Sequence, residues 1–196
     1  DDLRQRQAGY VREILRAGEH LLELINDVLD LARVEAGKQQ ISMEPVQVST
    51  LVDECLSLMQ PMARMRGIRL PDAADVACDC CVAADRTRLK QVLLNLMSNA
   101  IKYNRPDGSV EIACAADGNG VRISVTDTGQ GLSPEQCQRL FKAFERLGAE
   151  SSAIEGAGIG LALSKRLVEL MHGSIGLDSA ERDHPRALHT AERALR

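Results

Sequence analysis

Apolar and polar residues alternate in two different rhythms along this chain. Between Leu3 and Ala36, the positions Val11, Ile14, Gly18, Leu21, Ile25, Val28 and Ala32 step by alternating threes and fours, the spacing of a heptad seam on one long helix. Leu15, Leu22 and Leu29 widen that stripe beyond what a two-helix contact needs, so the helix is expected in a bundle, with Gly37 as its C-cap. Further on, Gln40 to Met43 reads as a short strand, Pro45 as a break, and Ser49 as the cap of an amphipathic helix running to about Arg66. Leu51, Val52, Cys55, Leu58, Met59 and Met62 form that helix's apolar face. Ile68 to Leu70 and Cys81 to Ala84 are strand-like, with a loop over Pro71 to Asp79 between them. Asp85 then caps a helix ending near Asn104, and Pro106-Asp107-Gly108 forms a turn. Ser109 to Ala115 and Val121 to Thr126 alternate with period two and join as a hairpin through Asp117-Gly118-Asn119-Gly120. A last helix opens near Ile159. Strands with helices on one face predict an α/β two-layer sandwich, preceded by the long bundle-forming helix.

Candidate chemistry gathers at the ends of these elements. The hairpin's second strand stops at Asp127-Thr128-Gly129-Gln130-Gly131, and a second glycine cluster, Gly156-Ala157-Gly158-Ile159-Gly160-Leu161, opens the last helix. Glycines let a backbone approach a ligand and present N–H groups, and a helix N-terminus adds a favourable field for anions. On the helix after Asp85, Asn95 and Asn99 stand one turn apart with Lys102 on the same face. Taken singly, each feature has an ordinary explanation: a turn-capping aspartate, a tight turn, a solvated helix face.

Together, Asn95/Asn99/Lys102, Asp127/Gly129/Gly131, Phe141/Phe144 and Gly156/Gly158/Gly160 resemble, in order and spacing, the N, G1, F and G2 boxes of the sensor histidine kinase ATP-binding domain. The resemblance implies a fold of the histidine kinase/gyrase type. It also implies ATP and Mg²⁺ as cofactors. In it, Asp127 would accept a hydrogen bond from the adenine amino group, and Asn99 would offer a neutral oxygen to the metal. Lys102, Tyr103 and Arg146 would reach phosphate oxygens; Asn95, Gly129, Gly131, Phe144, Gly156, Gly158, Gly160 and Leu161 would complete the cofactor site. Ser133 to Glu155 would be a lid over the nucleotide, anchored by Phe141 and Phe144. The catalytic set would be Asn99, Lys102 and Arg146, working by positioning and charge neutralisation. The stretch from Gly18 to Leu31 resembles the second helix of the dimerisation and phosphoacceptor hairpin, which implies a homodimer and a response-regulator receiver domain as partner.

Two departures from the family pattern stand out. Position 157 is alanine where a hydroxyl residue is common, and nothing resembles the phosphoacceptor motif, a histidine followed by an acidic residue. None of the four histidines, His20, His172, His184 and His189, is followed by an acidic residue, so the acceptor is expected on a helix preceding Asp1. A gyrase-type ATPase would carry a water-activating glutamate where Asn95 stands, which disfavours hydrolysis. A non-catalytic ATP-binding or dimerisation module is the other alternative. The expected organisation is residues 1–37 as the hairpin helix, 38–179 as the ATP-binding domain and 180–196 as a divergent tail. That tail shows no strand period; its Ala/Glu/Arg content favours a short helix or disorder, leaving the sheet one strand short.

Composition narrows the alternatives. With 44% hydrophobic and 27% charged residues among 196 the chain can hold a sizeable core, and a net charge of −4 provides no basic field for nucleic acid. No apolar run is long enough to span a membrane, so a cytoplasmic setting is expected. Aromatic residues make up only 2%, leaving aliphatic and Met side chains to fill the core. Six cysteines, with no histidine near the Cys78 cluster, argue against zinc and fit reduced thiols; Cys114 reads as a small buried hydrophobe.

Overall fold

The structure, a computed structural model, describes residues 2–72, 76, 80–117, 120–145, 158–178 and 186–192, some of them in the first helix and last strand by backbone alone. Helix α1 (Asp2–Glu35) ends as its sequence predicts. Gly37 takes a φ of 63°, and the N–H groups of Lys38 and Gly37 donate to the carbonyls of Arg33 and Val34, both at 3.0 Å, which satisfies carbonyls the helix leaves open. Most of its apolar stripe faces water: Val11, Ile14, Leu15, Leu21, Leu22, Ile25, Val28 and Leu29 are exposed. Its last turns behave differently. Leu31 and Val34 enter the core, and Asp30 accepts hydrogen bonds from Arg88 Nη1 and Gln91 Nε2 at 3.3 Å each.

Strand β1 (Glu44–Gln47) pairs antiparallel with β2 (Cys81–Ala84). This corrects two expectations, because the strand lies just after Gln40–Met43 and Pro45 sits within it. In a two-stranded ribbon each strand has a free edge, so a residue without an N–H is tolerated there, and the register buries Val46. Helix α2 (Val48–Met65) starts one residue before Ser49; Gln47 holds the N-cap position without a capping side chain. Along α2, Leu51, Val52 and Cys55 are buried as expected, whereas Leu58 is exposed and Leu56 is buried in its stead. Burial pushes the Cys55 thiol up to about 11. It does the same for the half-buried Cys114, in keeping with its reading as a small hydrophobe. Cys80, by contrast, is disulfide-bonded, so the expectation of reduced thiols fails there.

Asp85 caps α3 (Arg86–Lys102), its carboxylate accepting from the Arg88 N–H at 3.0 Å. Leu89, Val92, Leu93, Leu96, Met97, Ala100 and Ile101 form one fully buried face, the 3.6-residue period of a helix against a sheet. Glu54 on α2 receives Arg86 and Lys90, and the Lys90 hydrogen bond, ahead of Arg86, holds its carboxyl below the usual range. Ile68 to Leu70 contributes only a parallel bridge between Arg69 and Ser109. The hairpin forms from β3 (Val110–Asp117) and β4 (Gly120–Asp127), with Val110 opposite Asp127. Along β4 the residues Val121, Ile123, Val125 and Asp127 are buried, while those between are more open. One face of the sheet is therefore covered, by α2, α3 and α5 (Gly160–Leu170), all of which contribute to a single core. A short α4 (Pro134–Arg139) precedes α5. The two-layer sandwich is as expected.

The sheet is not a strand short. After β5 (Ser174–Asp178), β6 (Arg186–Glu192) inserts between β4 and β5, giving the order β3-β4-β6-β5 with every neighbour antiparallel. The expectation of helix or disorder for the tail is thus corrected over these residues. Without β6, β4 and β5 would each present an open row of backbone donors and acceptors, and filling both rows at once outweighs a weak strand propensity. No described helix is long and apolar enough to cross a membrane.

Candidate functional site

The carboxyl end of β4 carries Asp127, which is 1% exposed. Its Oδ1 accepts the Gly129 N–H at 2.7 Å, so the chain turns sharply around its own carboxylate, an Asx-type corner. Residue 129 is glycine for a steric reason, since a Cβ there would stand 2.6 Å from both Asp127 Oδ1 and the Tyr103 carbonyl. The corner thus lies directly against the end of α3. A second set of bonds locks it there: Thr128 Oγ1 donates to Asn104 Oδ1 at 2.9 Å and accepts from the Ser109 N–H at 2.9 Å, while Asn104 Nδ2 donates to the carbonyls of Ala100 and Ser109 at 3.0 Å. Asn104 and Thr128 were not among the sequence candidates. Their polar types at a helix end and a strand end were visible, but their contact across 24 positions was not.

On α3, Asn95 and Asn99 are half-buried. Asn99 Nδ2 lies 3.5 Å from Asn95 Oδ1, and Asn95 Nδ2 donates to Ser164 Oγ on α5 at 2.9 Å. A Cβ at Gly160 would land on the Asn95 carboxamide. The glycine that opens α5 therefore lets this helix's N-terminus seat against the asparagine helix. Gly158, with a φ of 70°, meets the other side, where a Cβ would be 2.7 Å from the Glu145 carbonyl. Glycine was expected here to let a ligand approach the backbone; at these three positions it lets elements of the site approach one another. Lys102 and Tyr103, both half-buried, close α3 beside the Asp127 corner. Leu161 follows Gly160 in the first turn of α5, and Gly131 takes a φ of 73° after the corner.

The pair of phenylalanines divides. Phe141 packs against the core, and the Lys165 ammonium stands 5.5 Å from its ring centroid. Phe144 is 67% exposed with a φ of 66°, so it does not anchor the segment by burial; its N–H instead donates to the Gly158 carbonyl at 3.0 Å. Arg139 grips Glu145 through Nε and Nη2, at 3.0 and 2.6 Å. Ser133 and Gln136 form a reciprocal capping box at the start of α4, a Ser-x-x-Gln signature legible in sequence. Arg146 and Gly156 lie outside the described residues.

The site therefore brings together a buried carboxylate, two neutral carboxamides, a lysine and a glycine-opened helix N-terminus. A family model for histidine kinase-, DNA gyrase B- and HSP90-like ATPases matches residues 84–189, more than half of the chain. The chain belongs to this ATPase family. Among similar proteins, the circadian input-output histidine kinase CikA of Synechococcus elongatus is 39% identical over 90% of this chain and 24% of its own length. The sensor protein GacS of Pseudomonas syringae pv. syringae is 37% identical over 91% of this chain and 20% of its own. The chain thus spans about a quarter or less of these curated relatives. Among solved structures, full-length ShkA in complex with AMPPNP superposes with a TM-score of 0.79 and 33% identity, over 96% of this chain and 39% of that one. The ThkA histidine kinase catalytic domain gives 0.65 and 25%, over 78% of this chain and 96% of its own. Family and fold are those the four boxes implied.

Proposed function

We propose that this chain is the ATP-binding catalytic module of a sensor histidine kinase, delivering the γ-phosphoryl group of ATP to a histidine outside the residues present here. The observation that carries the reading is Asp127, a carboxylate buried at a strand end and held by its own glycine corner against the asparagine helix. In the family that the four boxes resemble, the carboxylate at this place accepts a hydrogen bond from the exocyclic amine of adenine, and a carboxylate at a strand end beside the asparagine helix fits that role. The neighbouring groups fit the rest of a magnesium nucleotide. Asn99, with Asn95 behind it, would offer a hard neutral oxygen to Mg²⁺; Lys102, Tyr103 and Arg146 would hold phosphate oxygens; Gly158, Gly160 and Leu161 would present the N-terminal end of α5 to the phosphates. Bound Mg-ATP supplies the phosphoryl group, and the chain's residues orient and neutralise it.

Asn95 stands where an ATP-hydrolysing relative would need a glutamate, which favours transfer over hydrolysis. The exposed stripe of α1 supports a homodimer, and phosphotransfer signalling implies a response-regulator receiver domain as the next acceptor. Isothermal titration of Mg-ATP into the chain and its Asp127→Asn variant tests the reading. The asparagine keeps an oxygen for the Gly129 N–H, so the corner persists while the second oxygen becomes a donor. Affinity is expected to fall by about a hundredfold, the upper end for a charge-assisted hydrogen bond; equal affinity in the two proteins would remove Asp127 from the site.

A further inference from the structure

We infer that Thr128 and Asn104 are positioning residues that set the bearing of the Asp127 carboxylate, and with it the discrimination between purines with and without a 6-amino group; this rests on the nucleotide reading above. Strand pairing with Val110 and Arg186 holds the Asp127 backbone. Its side chain takes its direction from the Gly129 N–H, which meets Oδ1 at 2.7 Å. Where that N–H points depends on the residue between them. Thr128 is gripped through both backbone and side chain. Its N–H donates to the Ser109 carbonyl at 3.2 Å, and its hydroxyl lies between the Ser109 N–H and Asn104 Oδ1, 2.9 Å from each.

The sense of each link is set by groups that only donate or only accept. The carbonyls of Ala100 and Ser109 accept from Asn104 Nδ2 at 3.0 Å each, so Oδ1 faces the other way, where it also receives the Arg105 N–H at 3.0 Å. The Ser109 N–H can only donate, which occupies a lone pair of Thr128 Oγ1 and leaves the hydroxyl proton for Asn104; the Ser109 carbonyl, at 3.4 Å, is the poorer acceptor. Gly108 makes the meeting possible, since a Cβ there would land on Asn104 Oδ1 and stand 2.6 Å from Thr128 Oγ1. A hydrogen bond weakens steeply as its donor leaves the line of the acceptor, so an amine held by Asp127 reads small changes in the carboxylate's direction. The end of α3 thereby governs base recognition through Thr128.

The experiment titrates Mg-ATP and the magnesium complex of purine riboside triphosphate, which lacks the 6-amino group, into the chain and its Thr128→Val, Asn104→Ala and Thr128→Ser variants. Urea unfolding first establishes which variants are folded. The unsubstituted chain is expected to prefer ATP by about a hundredfold, the upper end for a charge-assisted hydrogen bond. Thr128→Val and Asn104→Ala break the same bond from opposite sides. In each, that preference should fall about tenfold, with the affinity for purine riboside triphosphate nearly unchanged, and either variant decides alone if the other does not fold. Thr128→Ser, which keeps the hydroxyl, should retain the preference. An unchanged preference in a folded variant, or an equal loss for both nucleotides, would overturn the inference, because a merely structural role lowers both alike. Equal binding of the two nucleotides by the unsubstituted chain would instead be a failure of the functional reading at Asp127. The ¹⁵N-labelled Gly129 amide signal of the nucleotide-free protein, moved in Thr128→Val and restored in Thr128→Ser, then still decides whether Thr128 orients the carboxylate.

Discussion

At the scale of single residues, Gly160 shows how closely the site is fitted. The position lies at the N-terminus of α5, and any Cβ there would collide with the Asn95 side chain. Gly160→Ala is therefore expected to push α5 away from α3, destabilising the fold by about 1–3 kcal/mol, as overpacking does, and weakening ATP binding more than stability alone explains. Urea unfolding alongside nucleotide titration checks both; an alanine variant with wild-type stability and affinity would contradict the close seating. The glycine itself was legible as part of a motif. Its reason was not, because periodicity and spacing say nothing about which side chain from 65 positions away will fill the space a methyl would need. The same holds for Thr128 and Asn104, whose bond depends on how the hairpin lies along α3. Asp127 was readable only through its companion motifs in order, since alone an Asp-x-Gly at a strand end reads as the turn cap that it also forms.

Among the elements, helices were easiest to read and their ends hardest. The long apolar periods of α1, α3 and α5 fix their position, and the caps at Asp85 and Gly37 formed as expected. The end of α5 is instructive: Gly173 invites a C-cap, but the left-handed residue is His172, with a φ of 65°. The His172 N–H bonds to the Glu169 carbonyl at 3.0 Å and the Gly173 N–H to that of Val168 at 2.9 Å, so the helix closes one residue before the glycine. A non-glycine side chain in this conformation costs about 1 kcal/mol, and His172→Gly should recover roughly that amount in chemical denaturation. An unchanged or lowered midpoint would contradict the cap assignment. Strands were less legible. Pro45 appeared to end β1 because proline removes a donor, yet a free edge needs none; β6 was missed because its main-chain bonds to two neighbours outweigh its composition.

For the whole molecule, the decisive contrast is between the two ends of α1. The last turns belong to the body through Leu31, Val34 and the Asp30 bonds to Arg88 and Gln91. The preceding turns carry exposed Val11, Ile14, Leu15, Leu21, Leu22, Ile25, Val28 and Leu29, an apolar stripe that water solvates poorly. Self-association that rises with concentration is expected in sedimentation, and Leu22→Glu should abolish it; a monomer at every concentration with α1 still helical would contradict the bundle reading. The proposed phosphoryl transfer to a histidine on a separate helix is checked by incubating the chain with labelled ATP, Mg²⁺ and a separately supplied phosphoacceptor hairpin from a histidine kinase. Acid-labile, base-stable label is expected on the supplied hairpin and none on the chain alone, with transfer lost in Asp127→Asn. Label on the chain itself that disappears in His20→Ala, or ATP bound tightly with no transfer to any supplied hairpin, would contradict it.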